Sequence, residues 1–392
     1  MTSAIQKIIN YAIPTRELRK SFDWLFEQHR RRSSKGRSRS RSKSRSRDDI
    51  IIEPLIPSST YKLSPVCEDM IEAIRQGLES GQSPIKVSDG TGGVYFMPNA
   101  KGKIIGVFKP MDEEPYALNN PKNYTSTTKE PYMTKGVKAG EGWYRELATY
   151  ILDHPLSGPR KNGDDEVGFA GVPPTMLVKC CHAVFNGMSE MNKVKVGSLQ
   201  KYVKNGYSCE EMGSSKIPVN EVHMISILDI RLANADRHVG NILYLENIDS
   251  PDRLVPIDHG FCLPESFEGI TLEWRFWRQA YMPYSLEMLK YIESLDAEKD
   301  IEMLKLHKLK ISPESCLVLR ISTMLLKKSA AAGLTANNIA CIMCKVKLDV
   351  EASDIEIILE EAEKAIPPGS SEVVFLEAVS VKIDSYIANM KK

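Results

Sequence analysis

The order in which strand-type and helix-type sequence follow each other is the feature that most constrains this chain. The predicted strands are 93–97 and 103–109, joined by the turn Pro98–Gly102, and then those around Thr175–Cys180 and Val194–Leu199. The predicted helices are Val66–Leu78, 141–152 and much of the chain from Val219 on, interrupted by a Gly/Asp-rich segment at 236–264. This order predicts an α+β protein with a small β-rich N-lobe and a larger helical C-lobe.

A basic, low-complexity tract separates the N-terminus from the globular sequence. Residues 30–47 contain eight Arg and two Lys, mostly alternating with Ser, and no acid. Such a tract has too little apolar surface to offset the entropy of ordering, so we expect it to be disordered. We therefore predict an N-terminal tail at 1–60, a catalytic domain at 61–348 and a C-terminal helical tail at 349–392.

A glycine-rich segment precedes the first strand of the hairpin. It consists of Ser88, Asp89, Gly90, Thr91, Gly92, Gly93 and Val94. Its glycines allow the backbone to approach a phosphate closely and to direct N–H groups at it. It is not a Walker A loop, because no Gly-Lys-Ser/Thr follows, nor a dinucleotide-binding turn, because a strand follows it. A phosphate-binding loop and an ordinary turn are the two interpretations.

Lys109 ends the return strand of the hairpin. Strand alternation places Ile105, Val107 and Lys109 on one face, and an ammonium beside two buried aliphatic side chains needs an anion. A phosphate under the glycine-rich loop or the carboxylate of Glu146, from helix 141–152, would provide it. A strand lysine paired with a helix glutamate is typical of kinases. The alternatives are a surface lysine and a solvated glutamate.

Two acidic segments in the second half of the chain have the spacing that phosphoryl transfer requires. Asp236 and Asn241 are separated as a catalytic-loop aspartate and a metal-binding asparagine are in protein kinases. Asp236 would accept the proton of the attacking hydroxyl, and Arg237 would stabilise that carboxylate or the transferring phosphoryl group. Asp258, in Val-Pro-Ile-Asp-His-Gly, suits a ligand for Mg²⁺; an ordinary turn is its alternative.

At these residues the sequence resembles the phosphatidylinositol 3-/4-kinase superfamily, its type II branch, and within it the plant gamma-type phosphatidylinositol 4-kinases. The resemblance spans roughly residues 62–348. It is carried by Ile104–Tyr116, Gly140–Gly142 with Arg145 and Glu146, Gly168–Thr175, Ile230–His238, Pro256–Glu265 and Arg320–Lys328.

The resemblance implies a bilobal, protein-kinase-like fold, with ATP and Mg²⁺ (or Mn²⁺) as cofactors and a role for each matching segment. The glycine-rich segment would cover the ATP phosphates and Lys109 would contact them. The adenine-binding hinge would be Gln200, Lys201, Tyr202 and Val203. Substrate contact would fall to Glu114, Pro115 and Tyr116, and metal binding to Asn241 and Asp258. Residues from about 256 to 276 would form the activation segment. Its aromatic end, Trp274, Phe276 and Trp277, would either face a membrane or pack in the core.

The resemblance predicts transfer of the γ-phosphoryl group of ATP to the 4-hydroxyl of phosphatidylinositol in an anionic membrane surface. Serine/threonine protein kinase activity on protein substrates is the first alternative. A non-catalytic, RNA- or splicing-associated protein that acts through the Arg/Ser tract is the second. For residues 30–47 themselves, weak binding of RNA or of anionic lipid, a tail whose charge phosphorylation inverts, and a solvated linker are the alternatives. With no apolar run near 18 residues and no signal peptide, we expect no transmembrane segment and a cytoplasmic protein peripheral to membranes, or a nuclear one.

Overall fold

A computed structural model describes residues 51–55, 61–123, 133–134, 136–186, 194–246, 251–345 and 352–390. The predicted disorder of residues 30–47 lies outside these described residues. The strands are β1 (Ile51–Pro54), β2 (Ile85–Lys86), β3 (Tyr95–Pro98), β4 (Ile104–Pro110), β5 (Met133–Thr134), β6 (Val137–Lys138), β7 (Thr175–Cys181), β8 (Val194–Lys201), β9 (Tyr207–Ser208), β10 (Ile242–Leu245) and β11 (Arg253–Pro256).

The helices of the described residues fall mainly after the large sheet. They are α1 (Pro65–Glu79), α2 (Gly142–Leu152), α3 (Val219–Arg231), α4 (Leu286–Ser294), α5 (Ala297–Leu306), α6 (Pro313–Ala331), α7 (Ala336–Met343), α8 (Asp354–Lys364) and α9 (Glu372–Met390). In addition, short 3-10 turns occur between them. The expected α+β arrangement, with a β-rich lobe and a helical lobe, is confirmed.

The N-lobe is built on an antiparallel six-stranded sheet. Its strand order is β1-β7-β8-β4-β3-β2, so that β4 and β8 pair near its centre. Helix α1 begins at the capping residue Ser64, followed by Pro65 in the first turn, and covers one face of the sheet. Its apolar residues, such as Ile74 and Leu78, pack against Tyr95 and Phe108 in one buried cluster. This packing leaves the opposite face of the sheet to α2 and the site.

Helix α2 lies between the sheet and the helical lobe and has no polar outer face. Every residue from Trp143 to Leu152 is buried, including two charged ones, Arg145 and Glu146. Leu147 and Ile151 belong to a cluster that also includes residues of the sheet and of α3, α5 and α6. A helix buried all round is positioned by contacts on every side, so the charged groups that it carries are held firmly.

The helical lobe surrounds α3, and a small sheet lies beside the end of this helix. Strand β10 pairs with β9 and β11, forming a three-stranded antiparallel sheet. Helices α6 to α9 share one core with α3, including Ile230, Leu325, Ile339 and Ile383. Among the described residues, no helix is both long and apolar enough to cross a membrane.

The fold extends on both sides of the predicted catalytic domain. Strand β1, in the segment expected to be a tail, pairs with β7 over four residues. At the other end, α8 and α9 pack on the core of the helical lobe, and Arg320 of α6 forms ion pairs with Glu298 and Glu372. The predicted limits of the domain therefore fall inside continuous packing.

Candidate active site

Three ionisable side chains from distant parts of the chain meet at the end of β4. The Nζ of Lys109 lies 2.5 Å from Oε1 of Glu146, on α2, and 2.9 Å from Oδ1 of Asp258, shortly after β11. The Glu146 side chain is buried, whereas that of Asp258 is 49% exposed. One cation therefore lies between a buried carboxylate and a carboxylate that reaches solvent. The predicted meeting of Lys109 with Glu146 is present.

The charged groups of this cluster stabilise each other against the cost of burial. Burial opposes the charged forms of Lys109 and Glu146, but the carboxylates raise the pKa of Lys109, and Lys109 with His259 lowers the pKa of Glu146. His259 is fully buried behind Glu146, with Nδ1 3.5 Å from Oε2, and burial lowers its pKa. At neutral pH, Lys109 is therefore protonated and Glu146 ionised.

The strand face that carries Lys109 differs from the expectation in one respect. Ile105 and Val107 share that face, but they are only half-buried, and the buried face of β4 is that of Gly106 and Phe108. Lys109 therefore lies on the less buried side of the strand, not on a core face.

The segment between α3 and β10 brings Asp236 and Asn241 together. The Nδ2 of Asn241 donates to the carbonyl of Asp236 at 3.1 Å, and the N–H of Asp236 donates to Oδ1 of the buried Asn234 at 3.0 Å. The carbonyl of Asn241 accepts from the N–H of Ile257, next to Asp258, at 3.0 Å. Asp236, Asn241 and Asp258 are thus held on adjoining backbone segments.

Two of these positions have unusual backbone conformations. Asp258 has a φ of 55° and Ala233, before the Asp236 loop, a φ of 46°. Non-glycine residues adopt the left-handed region at a cost, and such residues concentrate at functional sites. The strain supports a functional assignment for both segments.

The glycine-rich segment forms the connection between β2 and β3. Gly93 donates its N–H to the carbonyl of Glu113 at 2.8 Å. A Cβ at Gly93 would lie 2.2 Å from Oε2 of Glu113, so this contact requires glycine. The preceding residues, 88–91, are exposed. The loop is therefore anchored at one end and open to solvent along the rest.

Buried polar groups support this anchor. Glu113 is fully buried, and its carboxylate accepts from the hydroxyl of Tyr95 at 2.7 Å and from the N–H of Asn186 at 3.0 Å. The Nζ of Lys195, also buried, lies 3.2 Å from the same carboxylate and 2.5 Å from Asp112. Each charged group has an opposite charge or hydrogen-bond donors beside it, as burial requires. The network joins β3 and β8 to the segment after β4.

Comparison with known proteins is consistent with this geometry. Residues 90–339 match the family described as "Phosphatidylinositol 3- and 4-kinase". The chain belongs to this family. It is 52% identical over 337 residues to "Phosphatidylinositol 4-kinase gamma 4" of Arabidopsis thaliana, an alignment covering 86% of the chain and 59% of the relative. It is also 50% identical to "Phosphatidylinositol 4-kinase gamma 4" of Oryza sativa subsp. japonica, in an alignment that covers 86% of the chain and 58% of the relative.

A third relative gives the same result. "Phosphatidylinositol 4-kinase gamma 3" of Arabidopsis thaliana is 49% identical over 343 residues, which cover 86% of the chain and 60% of that protein. The chain therefore spans about three-fifths of the length of these curated relatives. The predicted resemblance to the family is confirmed.

The structure corrects the sequence-based assignment of Arg237. Its side chain has no exposure; Nε donates to both oxygens of Asp229, at 2.9 and 3.1 Å, and Nη1 donates to the carbonyls of Asn241 and Ile257, at 2.6 and 2.7 Å. The guanidinium is thus engaged inside the protein and not directed at a phosphoryl group. It holds the segment of Asn241 against the segment that ends in Asp258.

Glu114 also differs from the expected substrate contact. Its carboxylate accepts from the backbone N–H groups of Gly140, Gly142 and Trp143, at 2.9, 3.1 and 2.8 Å. It thereby caps the N-terminus of α2, the helix that carries Glu146. Burial raises the pKa of Glu114 to about 7 against the opposing effect of these donors. The assignment of Glu114 to substrate is therefore corrected to helix capping.

The other two residues of that motif lie close to the glycine-rich loop. A Cβ on Gly92 would be 3.4 Å from Cδ of Pro115, which places this proline against the loop. Tyr116 has a φ of 65°. Their assignment to substrate remains a prediction.

The predicted hinge begins within the last two residues of β8, the strand that pairs with β4, and continues beyond its end. The N–H groups of Lys201 and Tyr202 donate to the carbonyls of Pro174 and Ile105, at 2.8 and 3.0 Å. The side chain of Gln200 is buried. These two N–H groups are therefore engaged within the protein, and the backbone donor for a nucleotide base would have to come from the next residue along.

The aromatic end of the predicted activation segment divides between core and surface. Trp274 is fully buried and donates from Nε1 to Asp229 at 2.9 Å, whereas Phe276 is 68% exposed and Trp277 is half-buried. Core packing is thus the correct alternative for Trp274.

Sequence reasoning missed the polar residues that organise the site. Asp229 accepts bonds from Asn234, Arg237 and Trp274, and Glu113 supports the glycine-rich loop. A buried acid inside the apolar pattern of α3 was the only signal for Asp229. For Glu113 no local signal exists, since its partners are distant in the chain.

Proposed function

We propose that this kinase domain transfers the γ-phosphoryl group of ATP to the 4-hydroxyl of phosphatidylinositol at a membrane surface. The observation that carries the proposal is the position of Lys109, between the buried Glu146 and the half-exposed Asp258. A strand lysine fixed by a helix glutamate and lying beside a metal-binding aspartate is the arrangement that phosphoryl transfer needs.

ATP would lie under the glycine-rich loop with its phosphates near Lys109. Backbone N–H groups of that loop would bind phosphate oxygens, and the protonated Lys109 would balance their charge. Adenine would meet the hinge, where the N–H of Val203 is the donor left once Lys201 and Tyr202 are engaged. Ile105 and Val107 would line the base from β4.

The residues near Asp258 fit a hard divalent cation. Because Nδ2 of Asn241 donates to the Asp236 carbonyl, its amide oxygen is the atom that could serve as ligand, alongside the exposed carboxylate of Asp258. Mg²⁺ is usually held by one or two protein groups together with substrate phosphates. When bound, the ion would neutralise charge developing on the phosphates.

Asp236 would accept the proton of the acceptor hydroxyl. Its backbone is held on both sides, by the Asn234 side chain and by Asn241, so the point from which the carboxylate projects is fixed. Preorganisation of this kind accounts for much of the rate enhancement in phosphoryl transfer.

An exposed apolar patch supports a membrane as the acceptor surface. We define it as Phe276, Tyr281, Met282 and Leu286, which are 68%, 55%, 49% and 78% exposed. The guanidinium of Arg275 lies 4.7 Å from the ring centre of Phe276, and Arg278 is exposed. Aromatic and aliphatic groups beside arginines suit an anionic interface.

The patch is connected to the catalytic loop. Leu272 forms a parallel bridge with Arg237, and Oε2 of Glu273 accepts from the N–H of Val239 at 2.8 Å. The patch begins three residues beyond this contact, at Phe276. A lipid headgroup at the membrane surface would therefore lie close to Asp236.

The decisive test supplies labelled ATP and Mg²⁺ to the purified chain, with phosphatidylinositol vesicles in one reaction and a protein substrate in another. Label in the lipid 4-position, abolished by Asp258→Asn, is the expected result. Label in protein alone would replace lipid kinase by protein kinase activity. Label in neither would exclude the proposal.

The membrane patch is tested by vesicle sedimentation. The double variant Phe276→Ser, Leu286→Ser should bind phosphatidylinositol vesicles several-fold more weakly, because it removes two exposed apolar groups from the interface. Val381→Ser, at an apolar residue of α9 with 63% exposure, is the matched control and should bind normally. Equal binding by all three proteins would rule out this surface.

A further inference from the structure

The carbonyl groups of the glycine-rich loop converge on one lysine. The Nζ of Lys122 lies 2.5 Å from the carbonyl oxygen of Ser88 and 2.8 Å from that of Asp89, and it also donates to the carbonyl of Gly90. An ammonium has three donors, and here three consecutive carbonyls accept them. Lys122 is 34 residues from Ser88, so the contact is tertiary.

A neighbouring asparagine continues this contact along the loop. The Nδ2 of Asn120 donates to the carbonyl of Thr91 at 2.8 Å and lies 3.0 Å from that of Glu114. Asn120 is buried, and its Oδ1 accepts from the N–H of Lys122 at 2.9 Å. Four successive carbonyls of the loop, from Ser88 to Thr91, are therefore held by one short segment, 120–122.

The geometry of the peptide bond determines the direction of the N–H groups that follow these carbonyls. In a trans peptide the C=O and the following N–H point in opposite directions. With the carbonyls of Ser88, Asp89 and Gly90 turned toward Lys122, the N–H groups that follow them point away from it. These are the N–H groups of residues 89, 90 and 91, in the part of the loop that is exposed.

We propose that Lys122, supported by Asn120, is a positioning residue that presets the glycine-rich loop to bind the phosphates of a nucleotide. A glycine-rich loop has high conformational freedom, so the energy of orienting its peptides would otherwise oppose binding. The clamp orients three peptide planes before the ligand arrives. Lys122 acts through the backbone and is not itself a phosphate ligand in this arrangement.

The proposal rests on the function proposed above, and two measurements separate their failure. The ¹⁵N order parameters of residues 88–94 in nucleotide-free protein report whether the clamp holds the loop rigid, and binding of ATP with Mg²⁺ by calorimetry reports its effect on the site. Lys122→Met should lower the order parameters of 88–94 and weaken ATP binding about tenfold, because three charged hydrogen bonds are lost. The order parameters of α2 and the thermal midpoint should remain unchanged.

Lys103→Met, at an exposed lysine in the turn between β3 and β4, is the matched control and should behave as the wild type. In steady-state assays the effect of Lys122→Met should appear in KM for ATP more than in kcat, which a general loss of folded protein would not produce. Lys122→Arg keeps the charge but not the geometry, and should recover only part of the affinity.

Normal ATP binding by Lys122→Met, with or without lower order parameters in 88–94, would overturn the proposed positioning role. Weaker ATP binding with unchanged order parameters would also overturn it, and so would full recovery by Lys122→Arg, which would show that charge alone acts. A wild-type chain that fails to bind ATP would overturn the proposed function, whereas the order parameters would still report whether the clamp exists.

Discussion

Arg237 should behave as an architectural residue, although its sequence position suggests catalysis. The perturbations are Arg237→Lys, which keeps the charge, and Arg237→Ala, which removes it. Asp258→Asn provides the contrast, because the side chain of Asp258 is half-exposed, whereas Arg237 has no exposure. The prediction is that Arg237 variants lose stability and that the Asp258 variant loses activity.

The contacts of Arg237 set the magnitude. It donates to the buried carboxylate of Asp229 and to two backbone carbonyls. Removing one partner of a buried ion pair costs about 3–5 kcal/mol, which is the expected loss of unfolding free energy for Arg237→Ala. Lysine can keep one charged bond, so Arg237→Lys should lose about 1–3 kcal/mol. Asp258→Asn should change stability by less than about 1 kcal/mol, since its ion pair is partly solvated.

Urea unfolding followed by tryptophan fluorescence measures these differences. Trp274, one of four tryptophans in the chain, donates a hydrogen bond to Asp229, so its contribution to the fluorescence reports on the same buried cluster. Phosphoryl transfer is then measured at a temperature where each variant is folded. Under those conditions Arg237→Lys should retain most of the wild-type kcat, whereas Asp258→Asn should lower kcat at least about a hundredfold.

A double-mutant cycle sharpens the test. Arg237 and Asp229 stabilise each other, so the loss for Arg237→Ala combined with Asp229→Ala should be well below the sum of the single losses. Wild-type stability of Arg237→Lys, together with a kcat as low as that of Asp258→Asn, would refute the reasoning and return Arg237 to the reaction.

Three further predictions concern the acids and the loop. Glu146, whose pKa is lowered, should add stability above pH about 4.5 that is lost as the pH falls below that value; Glu146→Gln should flatten acid unfolding monitored by circular dichroism. Gly93→Ala should weaken ATP binding and lower the free energy of unfolding by about 1–3 kcal/mol, because its Cβ would collide with Glu113. Gly92→Ala meets only ordinary contacts and should be tolerated. Similar calorimetric titrations of ATP into the two variants would contradict this prediction. Glu114→Gln should lower the free energy of unfolding by about 1–2 kcal/mol, seen as a lower thermal midpoint, without raising KM for the lipid acceptor. A raised KM at unchanged stability would show that Glu114 contacts the substrate.

Elements with a local signal were predictable from the sequence. Helix α1 and strand β7 lie within one or two residues of their predicted ends, since capping residues and β-prone runs mark them. Strand β1 was missed because its four residues have meaning only when paired with β7. The packing of α9 on the helical lobe was missed for the same reason, because tertiary contacts decide it.

The site shows the same division. The spacing of Asp236 and Asn241 is a local property of the loop, and so is the Asp258 motif. The roles of Arg237 and Glu114 depend on where their charges lie in three dimensions, and both proved to bind protein groups. A charged residue in a functional motif can therefore serve the backbone around the reacting groups instead of touching the substrate, and spacing alone does not distinguish the two.

The buried carboxylate of Asp229 connects the two surfaces on which lipid phosphorylation would depend. It accepts from Asn234, whose other end holds the N–H of Asp236, and from Trp274, two residues before the exposed Phe276. Asp236, the proposed base, and the start of the apolar patch are thus both connected to one carboxylate with no exposure. A lipid held against the patch would present its headgroup to Asp236 at a set position, which a membrane-surface kinase needs because its substrate cannot leave the plane of the bilayer. Chemistry then requires exposed residues, and the geometry that makes them effective is determined by buried ones.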